Sequence, residues 1–338
     1  MSVTFPNKTI LLTGASGFVG RHLATYLLQQ GTALRCPLRQ ITEANNQTDE
    51  LAGATIFPIG NLDDRTDWHQ ALQGVDIVIH CAGRVHVMHE TAADPLSLFR
   101  QVNVDATLHL AEQAALAGVK QFIFLSSIKV NGEETALGQP FSENQPAAPQ
   151  DAYAQSKYEA ELGLFAIANK TGMHVTIIRP PLIYGAGVGA NFKSLMQVLK
   201  KGLPLPLASV HNLRSFVYVG NLVDFIARCI DHPNASNQLF LISDGFDMST
   251  PGLLLRGARA FGKKARLLPC PPWLLTTIAS LLGRRAAADR VCQCLQVNIQ
   301  KARTLLNWSA PFTVEQGLQA TALAMIEDDH LNDAKKNT

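Results

Sequence analysis

A short apolar run, Thr9–Thr13, flows into Gly14-Ala15-Ser16-Gly17-Phe18-Val19-Gly20, and a helical pattern begins at Phe18. No other stretch limits the fold as sharply. Glycine lets a backbone turn tightly and come close to an anion, and a helix N-terminus offers that anion unpaired N–H groups and the positive end of a dipole. The G-x-x-G-x-x-G pattern at a strand-to-helix junction therefore predicts a pyrophosphate cradle in the first βα turn of an α/β sheet. Its walls would be Gly14, Ser16, Gly17, Phe18, Val19 and Gly20, and its ligand a dinucleotide.

The same grammar repeats along the first half. Ala33–Leu38, Ala54–Ile59, Val75–His80, Gln121–Ser126 and His174–Arg179 are apolar runs that barely alternate with polar residues. Strands read that way when helices cover both faces of a parallel sheet. Helical stretches such as Phe18–Gln30, Gln101–Ala117 and Ala152–Asn169 lie between them. The result is an α/β, doubly wound parallel sheet, the Rossmann fold. After Arg179 the rhythm breaks at Pro180, Pro181, Gly185, Gly187 and Gly189, and one more run, Gln238–Ser243, is expected to return to the sheet. The predicted division is a dinucleotide-binding domain over 1–180, with 215–243 returning to it. A smaller, mostly helical C-terminal substrate lobe takes 181–214 and 244–328, and 329–338 form a flexible polar tail.

Composition removes several function classes. The formal net charge of the 338 residues is +2, with no dense Lys/Arg block, so nucleic acid is not an expected partner. The six cysteines are scattered and the first residues lack a signal-peptide pattern, which predicts free thiols in a cytoplasmic protein. No metal is expected: Cys292 and Cys294 read as small packed residues, and His86, His89 and Glu90 as loop side chains. The apolar stretch Trp273–Leu282 is too short to span a bilayer, which takes ~20 residues. It reads as a helix buried in the smaller lobe rather than one lying on a membrane surface.

The chemistry concentrates at Tyr153-Ala154-Gln155-Ser156-Lys157. Positions i and i+4 share a helix face, so the phenol and the ammonium can converge on one substrate oxygen. A neighbouring ammonium favours the phenolate and brings a group of ordinary pKa near ~10 toward acid/base use. Ser127, just past Gln121–Ser126, puts a hydroxyl at the carboxyl end of a strand, where such sheets bind ligands. It is read as catalytic, and Ser126 as structural. After the second strand, Leu38 stands where an acidic residue would favour NAD, and Arg39 follows it. A guanidinium there suits a 2′-phosphate, so the cofactor is read as NAD(P) with NADP(H) favoured. In Asn61-Leu62-Asp63 the carboxylate either meets the adenine amino group or caps the next turn.

These segments together resemble the extended short-chain dehydrogenase/reductase family, in its branch of nucleotide-sugar epimerases, dehydratases and reductases. The resemblance rests on Thr13–Gly20, H-C-A-G at His80–Gly83, N-V-D-A-T at Asn103–Thr107 and S-S-I-K-V-N-G at Ser126–Gly132. It continues through Y-A-Q-S-K at Tyr153–Lys157, R-P-P-L-I-Y-G at Arg179–Gly185 and R-S-F-V-Y-V-G-N-L at Arg214–Leu222. It implies a catalytic triad of Ser127, Tyr153 and Lys157, with Lys157 also on the nicotinamide ribose. Ala82, Gly83 and Pro180 would line the cofactor with Leu62 and Asp63, and Asn103 would sit near the active-site helix. Tyr184 would border the substrate entrance, Asn191 and Arg214 would hold the substrate diphosphate, and Lys129 would reach the substrate. Asn131 departs from the usual Tyr, and Ser215 from a common Asp.

The implied reaction is proton and hydride exchange at C4 of a UDP-sugar, by 4-epimerisation or by reduction of a 4-keto sugar. The stretches S-S-I-K-V-N-G-E and P-F-S-E-N point to UDP-N-acetylhexosamines, or their 4-keto-6-deoxy forms, in surface-polysaccharide precursor synthesis. The alternatives are a 4,6-dehydratase, which would need an Asp-Glu pair that Ser127-Ile128 does not supply, a lipid-diphosphate-sugar 4-epimerase, and a non-catalytic NADP(H)-sensing protein. A homodimer is a family expectation.

Overall fold

The computed structural model describes residues 5, 8–40, 51–85, 94–283 and 285–336. In chain order its first half contains β1 (Thr9–Thr13), α1 (Phe18–Gln29), β2 (Ala33–Leu38), β3 (Thr55–Pro58), α2 (His69–Leu72) and β4 (Ile77–His80). Next come α3 (Pro95–Arg100), α4 (Ala106–Leu116), β5 (Gln121–Leu125), α5 (Ala152–Thr171) and β6 (His174–Arg179). The second half holds β7 (Leu182–Tyr184), α6 (Ala190–Lys201), β8 (Phe216–Tyr218), α7 (Val219–Cys229) and β9 (Gln238–Leu241). It ends with α8 (Thr250–Ala260), α9 (Pro272–Leu281), α10 (Arg285–Cys292), α11 (Gln300–Leu306) and α12 (Val314–Lys336).

Seven strands form one sheet in the order β3-β2-β1-β4-β5-β6-β9. Every pairing is parallel, for example Ile10 with both Leu34 and Ile77, and Ile178 with Phe240. Both faces are dry. Ile10 and Leu12 pack with Leu23 and Leu27 of α1 and with Phe225 and Ile226 of α7. Leu11, Val78 and Phe122 pack on the other side with Leu110 of α4 and Leu164 of α5. Each fully buried aliphatic side chain here contributes about 1.5–3 kcal/mol, and this is why these strands carry no polar alternation. The connection reverses direction between β1 and β4, so the carboxyl ends of those strands open onto a crevice.

The chain leaves the sheet after β6 and returns at β9. Between them β7 pairs with β8 in a separate two-stranded sheet, which the sequence pattern did not suggest. The smaller lobe has its own core, in which Tyr184, Phe192, Met196, Leu199, Leu254 and Leu318 meet.

Three further elements differ from expectation. Helical structure begins at Pro95 rather than Gln101, because Asp94 Oδ1 accepts from Ser97 N at 3.2 Å and Pro95 opens the helix. The helix α12 continues through Lys336, so positions 329–336 are helical where a flexible tail was expected, and Lys200 Nζ donates to Asp329 Oδ2 at 2.6 Å. Finally, α9 has no buried residue: Trp273 is 68% exposed and Leu281 84%. Among its described residues Leu275 alone joins the lobe's core, so the helix is not the buried one that its apolar composition suggested.

Candidate active site

The glycine turn is built as a cradle. Gly14 takes φ +72°, which L side chains rarely adopt, and a Cβ on it would stand 2.7 Å from Ala82 N. A Cβ on Gly20 would run into the Gly14 carbonyl, so α1 can seat against the turn only with glycine there. Gly17 N donates to Gly14 O at 2.9 Å and closes the turn. Gly17 is the N-cap of α1 and provides no side-chain acceptor, so the first turn of the helix has no side-chain cap. An anion is the natural complement of such an end.

A cavity of about 580 Å³ opens beside this turn, at the carboxyl ends of β1, β2 and β4. Its walls include Gly14, Ser16, Arg39, Leu62, Asp63, Ala82 and Gly83, all singled out from the sequence. Gly17, Phe18, Val19, Gly20, Asn103 and Pro180 stand outside those walls. Sequence reasoning missed Ile59, Gly60, Arg84, Gln101 and Val102, which also line it. Asp63 faces the cavity and is also tied locally: its Oδ1 accepts from Arg65 N at 2.9 Å. The expected loop His86, His89 and Glu90 lies outside the described residues.

Buried polar contacts fix the cavity's inner wall. Thr13 Oγ1 pairs with His80 Nδ1 at 2.7 Å and accepts from Ala82 N at 3.3 Å, and His80 Nε2 meets Thr107 Oγ1 at 3.0 Å. Burial, aided by the charge of Lys157, lowers the His80 pKa to about 3 and keeps the ring neutral. Asn103 sits in a π-helical turn, Gln101–Asp105, between α3 and α4. Its side chain accepts from Arg84 N at 2.7 Å and donates to Arg84 O and to Ser156 Oγ, each at 3.0 Å. Asn103 therefore staples the Gly83–Arg84 loop to α5 and caps no helix.

The three expected catalytic side chains converge next to this wall. Asp151 caps α5 through Ala154 N at 2.7 Å and thereby places Tyr153 in the first turn, half-buried. The Ser127 hydroxyl lies close enough to the Tyr153 phenol to lower its pKa. Lys157 lies one turn further and is buried, and its Nζ donates to Leu125 O at 2.8 Å. The ammonium stands 4.3 Å from the Phe124 ring centroid and 3.6 Å from where a Cβ on Gly83 would be. Burial lowers the Lys157 pKa to about 8, while Cys81 and Glu161 act to raise it. Burial raises Tyr153 to about 12, although Ser127 pulls it back, and Asp151 adds to the rise. The phenol is thus protonated at neutral pH in this arrangement, and burial outweighs the activation that the Tyr-Lys spacing suggested.

Beneath the site lies a buried ion pair. Arg179 grips Glu161 twice, Nε to Oε1 at 2.9 Å and Nη2 to Oε2 at 2.5 Å. Ser126 Oγ donates to Glu161 Oε1 at 2.5 Å and Arg179 Nη1 to Asn131 Oδ1 at 2.8 Å. Ser126 is structural, as read, and Asn131 has a partner that explains its presence: it finishes the hydrogen bonding of a buried guanidinium.

The expected substrate residues fare unevenly. The Lys129 ammonium pairs with Asp151 at 2.5 Å and Glu133 at 3.0 Å rather than reaching into the crevice. Tyr184 is 1% exposed, and its hydroxyl donates to Asp244 Oδ2 at 2.8 Å inside the smaller lobe's core, so it does not border the entrance. Asn191 is exposed in the first turn of α6. Arg214 is half-buried, and its Nη1 donates to Gln293 O at 3.0 Å. Ser215 is buried, donating to Asp247 Oδ1 and accepting from Val297 N.

Residues 10–242 match the NAD dependent epimerase/dehydratase family. The chain belongs to this family. A UDP-glucose 4-epimerase of Vibrio cholerae is 44% identical over 322 residues, covering 95% of this chain and 96% of the relative. An N-acetyl-α-D-glucosaminyl-diphospho-ditrans,octacis-undecaprenol 4-epimerase of Escherichia coli O157:H7 is 30% identical, covering 93% of this chain and 94% of its own length. The crystal structure of a UDP-glucuronic acid 4-epimerase from Bacillus cereus in complex with NAD superposes with a TM-score of 0.76 at 20% identity. It covers 94% of this chain and 99% of that one, and establishes the common fold. The family's dinucleotide fits the residues present. The glycine cradle leaves no room for a Cβ, α1 opens without a cap, and the cavity runs from Arg39 to Gly83, beside Lys157.

Proposed function

We propose that this protein is a nucleotide-sugar 4-epimerase that works on a UDP-hexose with a retained NAD(H). The observation that carries the reading is the closeness of Ser127 to the Tyr153 phenol, with the Lys157 ammonium one helical turn away, beside a cavity of about 580 Å³ lined by the glycine turn. The likeness to the Vibrio cholerae enzyme supports C4 as the reacting carbon. Bound NAD(P) supplies the exchange of hydride at C4, out and back. Tyr153 takes the proton of the C4 hydroxyl and later returns it to the oxygen on the other face of the sugar. Ser127 holds that oxygen against Tyr153, and the Lys157 charge favours the phenolate once the crevice is filled. Arg214 and Asn191 are assigned to the diphosphate, for which a guanidinium fork is suited.

The test is incubation of pure protein with UDP-glucose or with UDP-N-acetylglucosamine, without added cofactor, followed by product analysis. The expected outcome is a mixture of C4 epimers with no net change in NAD(P)H, and loss of about 10²–10⁴ in rate for Tyr153→Phe. Turnover only of a UDP-4-keto-6-deoxy sugar, with stoichiometric NADPH loss, would replace the epimerase by a reductase. Turnover only of a lipid-diphosphate sugar would give the relative from Escherichia coli as the better guide.

Arg39 favours a second reading of the cofactor. It is exposed on the cavity rim directly after β2, and Leu38 is present where a carboxylate would repel a 2′-phosphate. NADP⁺ is expected to raise Tm more than NAD⁺ at equal free concentration, and Arg39→Ala to remove the difference. A larger rise with NAD⁺ in the native chain would discard this reading.

A further inference from the structure

Among the described residues, α9 buries none of its side chains and leaves several large apolar ones open. Trp273, Ile278, Leu281 and the following Leu282 all lie open, the last 69% exposed. We propose that this helix docks the protein on an anionic phospholipid surface, lying in the interface without crossing it.

Two observations beyond the exposed stripe carry this. The first is hydrogen bonding. Two of the three hydroxyls that interrupt the stripe are turned inward on the helix, Thr276 Oγ1 to Trp273 O at 3.0 Å and Thr277 Oγ1 to Trp273 O at 2.8 Å. A hydroxyl already satisfied by its own helix enters an apolar medium at little cost. The second is charge. Residues 262–292 contain six Lys or Arg and one Asp, in a chain whose totals are 29 basic and 27 acidic. Lys263, Lys264 and Arg266 precede the helix, Arg285 and Arg290 follow it, and all five are exposed. Apolar residues flanked by cations are the composition of a helix that seats on negatively charged headgroups. A second copy of the chain fits worse: a two-fold contact through this face would bring both basic clusters together. The helix has ten residues, and no helix among the described residues is long and apolar enough to cross a membrane.

The position of α9 relative to the crevice gives the docking a use. It leads into α10, whose end is held to the segment before β8 that carries Asn212 and Arg214. Asn212 Nδ2 donates to Val291 O at 3.1 Å and to Gln293 O at 2.9 Å, and the Arg214 guanidinium donates to the same Gln293 carbonyl. A protein seated through α9 therefore holds the Arg214 side of its substrate lobe toward the lipid.

The experiment is sedimentation of the full chain with vesicles of phosphatidylethanolamine and phosphatidylglycerol, and with vesicles of phosphatidylcholine. The native chain is expected to pellet with the anionic vesicles and to be released by high salt. The exposed double variant Trp273→Ser/Leu281→Ser, and separately Lys264→Glu/Arg266→Glu, should bind about tenfold less, with Tm unchanged. A native chain that stays in the supernatant overturns the proposal, as does equal binding by both variants. A dimer that the first variant dissociates, with no vesicle binding, assigns the face to a second copy and overturns it as well. None of these readouts depends on which sugar the crevice takes.

Discussion

Lys157 is held in its charged form at a cost. Its pKa is about 8 in the fold against an ordinary 10.5, and burial is the main cause. For a base whose folded pKa is depressed, the penalty is fully present below pH 8 and fades as pH rises toward 10.5. Lys157→Met keeps the methylene packing and removes the charge, though it forfeits the hydrogen bond to Leu125 O. The variant is expected to be inactive yet more stable by about 2 kcal/mol at neutral pH, with the gain shrinking in alkaline solution. Urea denaturation at several pH values measures this, and a variant no more stable than the parent at neutral pH would refute it. In the native chain, turnover that needs the ammonium declines above about pH 8. Much of this was legible in the residues. Ser127 at a strand end, with Tyr153 and Lys157 four apart on a helix, is local geometry. What was not legible is who else claims a side chain. The Tyr184 hydroxyl finds Asp244, and the Lys129 ammonium finds Asp151, across sequence gaps that no spacing rule spans.

At the scale of elements, the glycine turn and α1 act as one part. An alanine at Gly20 would press on the Gly14 carbonyl and the Ala15 Cα, which are backbone and cannot turn aside. Gly20→Ala is expected to cost about 1–3 kcal/mol of stability and to weaken dinucleotide binding, because α1 must back away from the cradle. Thermal melting and titration with NAD⁺ check both, and unchanged values would show that the close seating is dispensable. Strands were the most readable elements, since two-sided burial writes an unbroken apolar run. Their ends were not, as β4 begins at Ile77 rather than Val75. The start of α3 carries a readable signal of its own, Asp94-Pro95. In α9 the apolar period was real and its conclusion failed, because hydrophobicity states what a residue avoids and not what covers it.

For the whole molecule, the doubly wound parallel sheet followed from the βαβ rhythm and the handedness of its crossovers. The smaller lobe did not. Its core joins residues from Tyr184 to Met325, and such contacts leave no periodic mark. The placement of that lobe also bears on how the chain is made. Strand β6 is finished at Arg179, yet the neighbour that covers its outer edge, β9, arrives only at Gln238. A chain emerging from the ribosome exposes the rim of β6 throughout the synthesis of residues 180–237. An unpaired strand edge is a template for the wrong partner. The segment that builds the substrate lobe is therefore also the delay during which the nascent sheet is most open to misassembly, and products cut short within it would carry that edge permanently.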